Sequence, residues 1–256
     1  MLEYQTMRAQ ILLGKWTEDD INLILSTASQ FSDIGERIQY ISGKFLEIPY
    51  QESTLIGNSA TDEEFVVNFS GIDCFTFLDY VEALRQSFSF GEFLERLKKI
   101  RYRSGTVSFQ ARNHFFTDWR ELSGIKDITR QVGGEKTRTC LKSLNLRSDG
   151  TLFLPGIPVT SRSVDYVPTA LIDEDVMHAL FTGDYIGIYT QIDGLDVSHV
   201  GIAIRHDDGV YLRHASSAES SRKVTDRLLV NYMKEKPGIV VLRPQSFHFD
   251  IFCGTL

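Results

Sequence analysis

A cysteine and two histidines are the residues of this sequence best suited to covalent chemistry. Asp73, a favourable N-cap residue, precedes a run of apolar positions at helical spacing, namely Cys74, Phe77, Leu78, Val81 and Leu84. The pattern predicts a buried helix with the thiol in its first turn. Because the positive end of a helix dipole favours a thiolate, we expect the pKa of Cys74 to lie below the value of about 8.5 for a free thiol. A small buried apolar residue is the alternative interpretation.

The two histidines lie on neighbouring predicted strands. Side chains alternate along a strand, so His199 shares a face with Gly201 and Ala203. Residues this small allow close approach of another element, which we expect to be the cysteine helix. If residues 205–208 form a four-residue hairpin loop, His199 lies directly opposite His214. A slip of one residue would place the two rings on opposite faces of the sheet.

A thiol, a histidine and a second polar group behind that histidine form a nucleophile, a base and an orienting residue. In this hypothesis His199 holds the Cys74 thiolate as an ion pair and protonates the leaving amine, while His214 fixes the tautomer and ring plane of His199. A second hypothesis is a metal hydrolase that uses the two histidines and a carboxylate such as Asp196. A third is an inactive binding module.

Composition narrows the class of protein. The 256 residues are 42% hydrophobic and 24% charged, which allows a sizeable core. A net charge of -7 without a basic run argues against nucleic acid or an anionic membrane as the main partner. No stretch approaches 18 consecutive apolar residues, so we expect no membrane insertion, and the first residues lack a signal-peptide pattern. Three widely spaced cysteines predict neither a disulfide framework nor a zinc ribbon, and Cys140 and Cys253 are interpreted as packing residues. We expect a monomer without metal or cofactor.

Helical patterns come first along the chain and strand patterns follow. Helices are predicted after Thr17 and Asp33, from Cys74, around Phe93 to Ile100 and over residues 174–181. Residues 125–170 contain many Gly and Pro residues and are predicted to form a long surface excursion. From Gly183 onward short strands predict an antiparallel meander, with a helix at 224–236 covering one face. This order is typical of an α+β fold, and we expect one catalytic domain over residues 1–256, with a helical part at 1–48 and the cysteine helix, insertion and sheet at 49–256.

A segment between these two regions mixes polar and aromatic side chains. Residues 112–119 begin with Arg112, Asn113 and His114 and continue with aromatic residues, without a clear period. Such a mixture is typical of the wall of a substrate cleft. A packed crossover, in which Arg112 and His114 bond to the backbone, fits the pattern equally well.

Several of these motifs resemble one known superfamily. Three motifs resemble the NlpC-type, papain-like cysteine peptidase superfamily of bacterial cell-wall hydrolases. They are Asp73-Cys74 at the start of an apolar helix, residues 198–203 on a strand, and residues 214–217 at the end of the next strand. Pro49-Tyr50, residues 112–119 and Gly183-Asp184 resemble its N-acetylmuramoyl-L-alanine amidase-like branch. The resemblance extends from Pro49 to Arg243.

The resemblance implies a papain-like fold, with the cysteine helix packed on an antiparallel sheet. It implies that Cys74 attacks the amide between the lactyl group of N-acetylmuramic acid and L-alanine, in peptidoglycan or its fragments. The backbone N–H of Cys74 and the hydroxyl of Tyr50 would then receive the oxyanion. The location implied is periplasmic or otherwise extracytoplasmic. The candidate substrate-binding residues are Asp73, Phe75, Arg112, Asn113, His114, Ser198 and Ser216.

Phe75 departs from the wider superfamily, much of which has Ser directly after the Asp-Cys pair. This difference argues against transferring the specificity of the D-glutamyl-diaminopimelate endopeptidases to this chain. A D-glutamyl-diaminopimelate-type endopeptidase or another acyl-transfer enzyme on the same scaffold is the alternative activity. The two activities are distinguished by which bond of a muropeptide is cut.

Overall fold

The first half of the described chain is mainly helical. The computed structural model describes residues 9–246, so His248 and Cys253 lie outside the described residues. The helices predicted here are present as α1 (Glu18–Ala28), α2 (Ile34–Gly43), α3 (Cys74–Arg85) and α4 (Phe90–Arg101). Thr17, Asp33 and Asp73 each accept a backbone N–H from the first turn of the helix that follows, as N-cap residues do. No helix within residues 9–246 combines the length and apolar character needed to cross a bilayer.

Two sheets are built from the strands. The small parallel sheet pairs β1 (Ala9–Leu12) with β2 (Phe65–Asn68). The large antiparallel sheet contains β3 (Ile125–Asp127), β4 (Arg138–Leu144), β5 (Thr160–Pro168), β6 (Tyr185–Tyr189), β7 (Val197–His206), β8 (Gly209–Ala215), β9 (Val224–Leu228) and β10 (Gly238–Pro244). Its order is β4-β5-β10-β6-β7-β8-β9, and β3 also pairs with β10. The last described strand therefore lies inside the sheet and joins the β4–β5 hairpin to the β6–β9 meander.

Two predictions of secondary structure were wrong. Residues 125–170 are not a surface excursion, because β3, β4 and β5 join the large sheet and α5 (Thr129–Gly133) packs beside it. Residues 224–236 are not one helix. Their first five residues pair with β8 as β9, and only one turn, α7 (Leu229–Met233), is helical. Strand pairing decided both segments, since β4 pairs with β5, β3 and β5 pair with β10, and β9 pairs with β8. The positions of Gly and Pro residues do not reveal such partners. The predicted helix at 174–181 is the shorter α6 (Glu174–Ala179).

The large sheet has a buried apolar cluster on each face. The first cluster joins α3 to alternate residues of β7, which are Val200, Ile202 and Ile204. The second cluster joins Ala203 to Leu212 of β8 and to Leu229 and Met233 of α7. The cysteine helix therefore packs on the face of large branched residues. The prediction that it packs on the His199, Gly201 and Ala203 face was wrong.

Gly201 has a different purpose from the one expected. A Cβ atom at this position would lie 2.7 Å from Leu212 Cδ1, 2.8 Å from the Arg213 carbonyl oxygen and 3.0 Å from His214 Cβ. The space left by the missing side chain is thus filled by the neighbouring strand. Gly201 makes room for His214 rather than for a helix.

Candidate active site

The loop before α3 fixes the position of Cys74. The Asp73 carboxylate accepts the backbone N–H of Phe75 at 2.9 Å and of Thr76 at 2.8 Å, and the Asp73 N–H donates to the Thr76 hydroxyl at 3.0 Å. This reciprocal capping box satisfies N–H groups that have no partner inside the helix. Asp73, a candidate substrate-binding residue, is thus occupied by the helix start, and Cys74 is the first helical residue.

The electrostatics of the thiol differ from the expectation. Burial raises the pKa of Cys74 to about 12, and the adjacent Asp73 carboxylate also raises it. The backbone N–H groups of Val200, Cys74 and Phe75 lower the pKa, but their effect is smaller. The expectation that the helix N-terminus makes this thiol unusually acidic was wrong, because desolvation of the charged form outweighs the N–H groups. At neutral pH the thiol of the free protein is protonated.

The two histidines meet, although not in the predicted register. The β7–β8 hairpin turns through two residues, with His206 opposite Gly209, so Gly201 is the residue opposite His214. The predicted four-residue loop and direct His199–His214 pairing were wrong by two residues. Side chains alternate with a period of two, so this shift keeps both rings on one face. His199 Nε2 lies 2.7 Å from His214 Nδ1, with the two rings perpendicular.

Burial controls the charge of the pair. It lowers the pKa of His199 to about 3, with further lowering by His214 and Lys236, and it lowers the pKa of His214 to about 4, with further lowering by Arg227. Both rings are therefore neutral near pH 7, and one proton lies between Nε2 of His199 and Nδ1 of His214. Within residues 9–246, the buried Nε2 atom of His214 has no hydrogen-bond partner. If Nδ1 of His199 accepts a proton, Nε2 must be the atom that donates to His214.

Two tyrosines lie around this centre. Tyr50 forms a parallel bridge with Ile72, two residues before Cys74, and its pKa is raised to about 12 by burial and then by the Cys74 charge. Tyr232 on α7 has its ring centroid 5.0 Å from that of His214 and 6.1 Å from that of His199. Its pKa is raised to about 12 by burial and by Cys74. Sequence reasoning missed Tyr232 because residues 224–236 were treated as one covering helix.

The remaining candidates near the cysteine have different surroundings. Phe75 is half-buried, and its ring lies edge-on to Trp119 with centroids 6.0 Å apart. Ser198 is exposed directly before His199, whereas Ser216 is buried just beyond the end of β8. Of these candidates, Phe75 and Ser198 present surface beside the centre, and Ser216 lies inside.

The polar side chains at 112–114 make hydrogen bonds to groups inside the protein. Arg112 makes hydrogen bonds of 2.6–3.0 Å to the buried Glu63 carboxylate. The Asn113 amide donates to a backbone carbonyl of α4 at 2.8 Å, and His114 Nε2 lies 2.8 Å from a backbone carbonyl five residues earlier. These contacts are those of the packed crossover. They hold residues 51–64 and α4 together, and substrate contact by these three residues stays a prediction.

The carboxylate considered for a metal site has other partners. Asp196 accepts hydrogen bonds of 2.7 Å from both the N–H and the hydroxyl of Thr117, and one of 2.8 Å from the N–H of Val197. In the part of the chain from residue 9 to residue 246, no three His, Cys, Asp or Glu side chains are grouped as metal ligands would be. The geometry therefore gives no support to a third ligand from Asp196.

Comparison with known proteins identifies one family model and several solved structures that are similar to this chain. The model of the AmiA-like family, described as N-acetylmuramoyl-L-alanine amidase-like, matches residues 40–239. A crystal structure of an N-acetylmuramoyl-L-alanine amidase from Bacteroides uniformis ATCC 8492 is 29% identical with a TM-score of 0.71, covering 83% of this chain and 99% of that one. A putative xylanase from Bacteroides fragilis is 27% identical with a TM-score of 0.66, covering 79% and 99%.

A protein from Legionella pneumophila str. Philadelphia 1 is 24% identical with a TM-score of 0.73, covering 90% of this chain and 94% of that one, and supports the fold alone. Comparison with curated proteins gives no match. The family match runs from α2 into β10 and includes Cys74, His199 and His214. The mixed fold with its antiparallel sheet matches that of amidase-like structures. This chain belongs to the AmiA-like, N-acetylmuramoyl-L-alanine amidase-like family.

Proposed function

We propose that this protein is a cysteine amidase of the papain-like NlpC type that hydrolyses the bond between N-acetylmuramic acid and L-alanine in peptidoglycan fragments. The observation that carries the proposal is the 2.7 Å contact between His199 Nε2 and His214 Nδ1. His199 is followed on β7 by Val200, whose backbone N–H is directed at the Cys74 thiol. On this basis we assign the nucleophile to α3, the base to β7 and the orienting residue to β8.

The first step is proton transfer within the site. His214 Nδ1 accepts a hydrogen bond from the Nε2–H group of His199, which leaves His199 Nδ1 unprotonated as the base for the Cys74 thiol. Because burial favours the neutral forms of both groups, we infer a neutral thiol and imidazole at rest. The proton then moves as sulfur attacks the lactyl carbonyl carbon, when negative charge passes from sulfur to the carbonyl oxygen.

The tetrahedral intermediate needs donors for its oxyanion. We assign the backbone N–H of Cys74, which has no acceptor within the helix because it lies at the helix start, and the hydroxyl of Tyr50, whose high pKa keeps it protonated. The intermediate collapses when the protonated His199 gives its proton to the nitrogen of L-alanine, which leaves as a free amine. His199 then takes a proton from water as the oxygen attacks the thioester carbon, the C–S bond breaks, and His199 returns the proton to the leaving sulfur. The lactyl group is released as the carboxylic acid and the neutral thiol is restored.

Two findings favour the amidase over the endopeptidase. The family model and the Bacteroides uniformis structure both carry the N-acetylmuramoyl-L-alanine amidase description. In addition, Phe75 packs on Trp119 next to the nucleophile, which puts an apolar wall where a small polar Ser would leave space. An extracytoplasmic site of action belongs to the same proposal.

Mass spectrometry of one substrate tests the proposal. The purified protein is incubated with a disaccharide tetrapeptide, and the products of Cys74→Ser and Cys140→Ser are compared. Cys140 is the matched control because it is also a largely buried free cysteine with partial exposure, on β4. The wild type and Cys140→Ser should release a free tetrapeptide with an L-alanine N-terminus. Cys74→Ser should release this peptide at least about 10³-fold more slowly, because a hydroxyl is a weaker nucleophile than a thiol.

Three results would contradict parts of this account. Cleavage after the second peptide residue would replace the amidase by the endopeptidase. Undiminished hydrolysis by Cys74→Ser would remove the thiol mechanism. Equal loss in Cys140→Ser and Cys74→Ser would show that the effect reports folding rather than chemistry.

A further inference from the structure

Tyr232 contacts both histidines although nothing in the mechanism above uses it. It lies on the single turn of α7, whose Leu229 and Met233 are buried in the second apolar cluster. These two side chains anchor the turn on the sheet face that carries His199 and His214. The Tyr232 ring thereby lies 5.0 Å from the His214 ring, edge-on, and 6.1 Å from the His199 ring.

We propose that Tyr232 is a positioning residue whose aromatic ring covers the His199–His214 pair, keeping water from it and holding the two ring planes. The proposal deepens the proposed function, since it assigns a role at the same centre and rests on it for the catalytic consequence. The hydroxyl is not the working group. The ring is, because the contacts are between ring faces and edges.

His214 is the more buried ring of the pair, whereas His199 is partly exposed. Only 2% of His214 is exposed, and its buried Nε2 has no partner within residues 9–246. Leaving such an atom unpaired typically costs about 1–3 kcal/mol. The Tyr232 ring is one of the groups that cover the His214 ring. Among the described residues, the one hydrogen-bond contact of the His214 ring is thus the contact to His199.

Exclusion of water sets the charge state of the base. Burial is the largest cause of the low pKa of both imidazoles, and the charges of Lys236 and Arg227 add to it. The other titratable groups at the centre are Cys74 on α3, whose charge raises the pKa of Tyr232, and the hydroxyl of Tyr50. All four remain when Tyr232 is shortened. Lys236 lies over the Tyr232 ring, with its Nζ 5.7 Å from the ring centroid, so the change in imidazole pKa on removing the ring reports hydration together with the release of this cation.

The direction of the effect follows from this. A buried imidazole with a depressed pKa stays neutral, and therefore basic, in mildly acidic solution. When water enters, the pKa rises toward the ordinary value of about 6.5, and the base is lost at a higher pH. The cations nearby oppose a full return, so we expect a rise of about one pH unit or more rather than the whole difference.

The experiment titrates the imidazoles directly. The full chain is labelled in its histidine rings, and the signals of His199 and His214 are followed by NMR in the wild type, Tyr232→Phe and Tyr232→Ala. Val230→Ala is the matched control, because Val230 lies on the same turn and is 51% exposed. Tyr232→Leu, which keeps apolar volume, is used if the Ala variant does not fold.

We expect both imidazoles to stay neutral down to pH 5 in the wild type, Tyr232→Phe and Val230→Ala. Their titration should rise by about one pH unit or more in Tyr232→Ala. The acid limb of kcat/KM should move up by the same amount, with little change on the alkaline side. Tyr232→Leu should give a smaller rise, because its side chain covers less of the two rings.

Two outcomes would overturn the proposal. One is an unchanged titration in folded Tyr232→Ala, and the other is a wild type whose imidazoles already titrate near pH 6.5. The titration needs no substrate. A shifted titration together with absent amide cleavage would therefore refute the amidase and leave the role of the Tyr232 ring standing.

Discussion

Replacing Gly201 by alanine tests how the two imidazoles are brought together. A methyl group at this position would lie 2.8 Å from the Arg213 carbonyl oxygen and 3.0 Å from His214 Cβ. Neither is the flexible end of a long side chain, so β7 and β8 must move apart or His214 must tilt. Either movement lengthens the 2.7 Å contact between His199 Nε2 and His214 Nδ1.

The size of the effect has two parts. Adding a methyl group to a filled interior typically costs about 1–3 kcal/mol, which for a chain of this size lowers Tm by ~2–4 °C per kcal/mol. Weakening a hydrogen bond to the imidazolium that forms during the reaction costs a further 1.5–3 kcal/mol, approximately, in the transition state. We therefore expect kcat/KM to fall about 10- to 100-fold for Gly201→Ala.

The assay measures both parts on the same samples. Calorimetry gives Tm, and release of free peptide from the disaccharide tetrapeptide gives kcat/KM. Gly91→Ala is the control, since a Cβ at Gly91 in α4 has no atom within 4 Å. It should stabilise the helix by up to about 1 kcal/mol and leave kcat/KM unchanged. A Gly201→Ala protein with wild-type Tm and wild-type activity would refute this reasoning about the hairpin.

Two further predictions concern neighbouring contacts. His214→Leu removes the acceptor for His199 Nε2 and also an unpaired Nε2 atom. We expect kcat/KM to fall about 10- to 100-fold while the calorimetric stability changes by less than about 2 kcal/mol. The control His206→Gln, at the exposed end of the hairpin, should change neither quantity. Glu63→Gln leaves Arg112 half-paired in the interior and should destabilise the protein by about 3 kcal/mol in denaturant unfolding, whereas Glu95→Gln, whose side chain is 66% exposed, should stay within about 0.5 kcal/mol. Equal stability of the last two variants would contradict a structural role for the 112–114 segment.

Local sequence was enough to predict the elements that begin with a clear signal. Thr17, Asp33 and Asp73 each precede an apolar stripe at helical spacing, and each caps a helix in the structure. Capping and apolar periodicity act within a few residues, so they can be read without knowledge of the fold. The strands in segments 125–170 and 224–236 lack this property, because each exists through its pairing with another strand: β3 and β5 pair with β10, β4 pairs with β5, and β9 pairs with β8.

The sequence by itself also determined that the two histidines share a face. Strand side chains alternate with a period of two, so the error of two residues in the β7–β8 register left His199 and His214 on the same side. The same argument could not say how close the rings are. That distance depends on the two-residue turn and on the space left at Gly201.

Only the tertiary structure decided which sheet face α3 covers, what the charge of the thiol is and which residue covers the imidazoles. Each of these depends on the sum of burial and neighbouring charges from distant parts of the chain. At Cys74 the helix N-terminus and desolvation act in opposite directions, and the local sequence contains only the first of these. Tyr232 comes to the site through the anchoring of α7 by Leu229 and Met233 on the far face of the sheet from α3, a relation that no local pattern in the chain encodes.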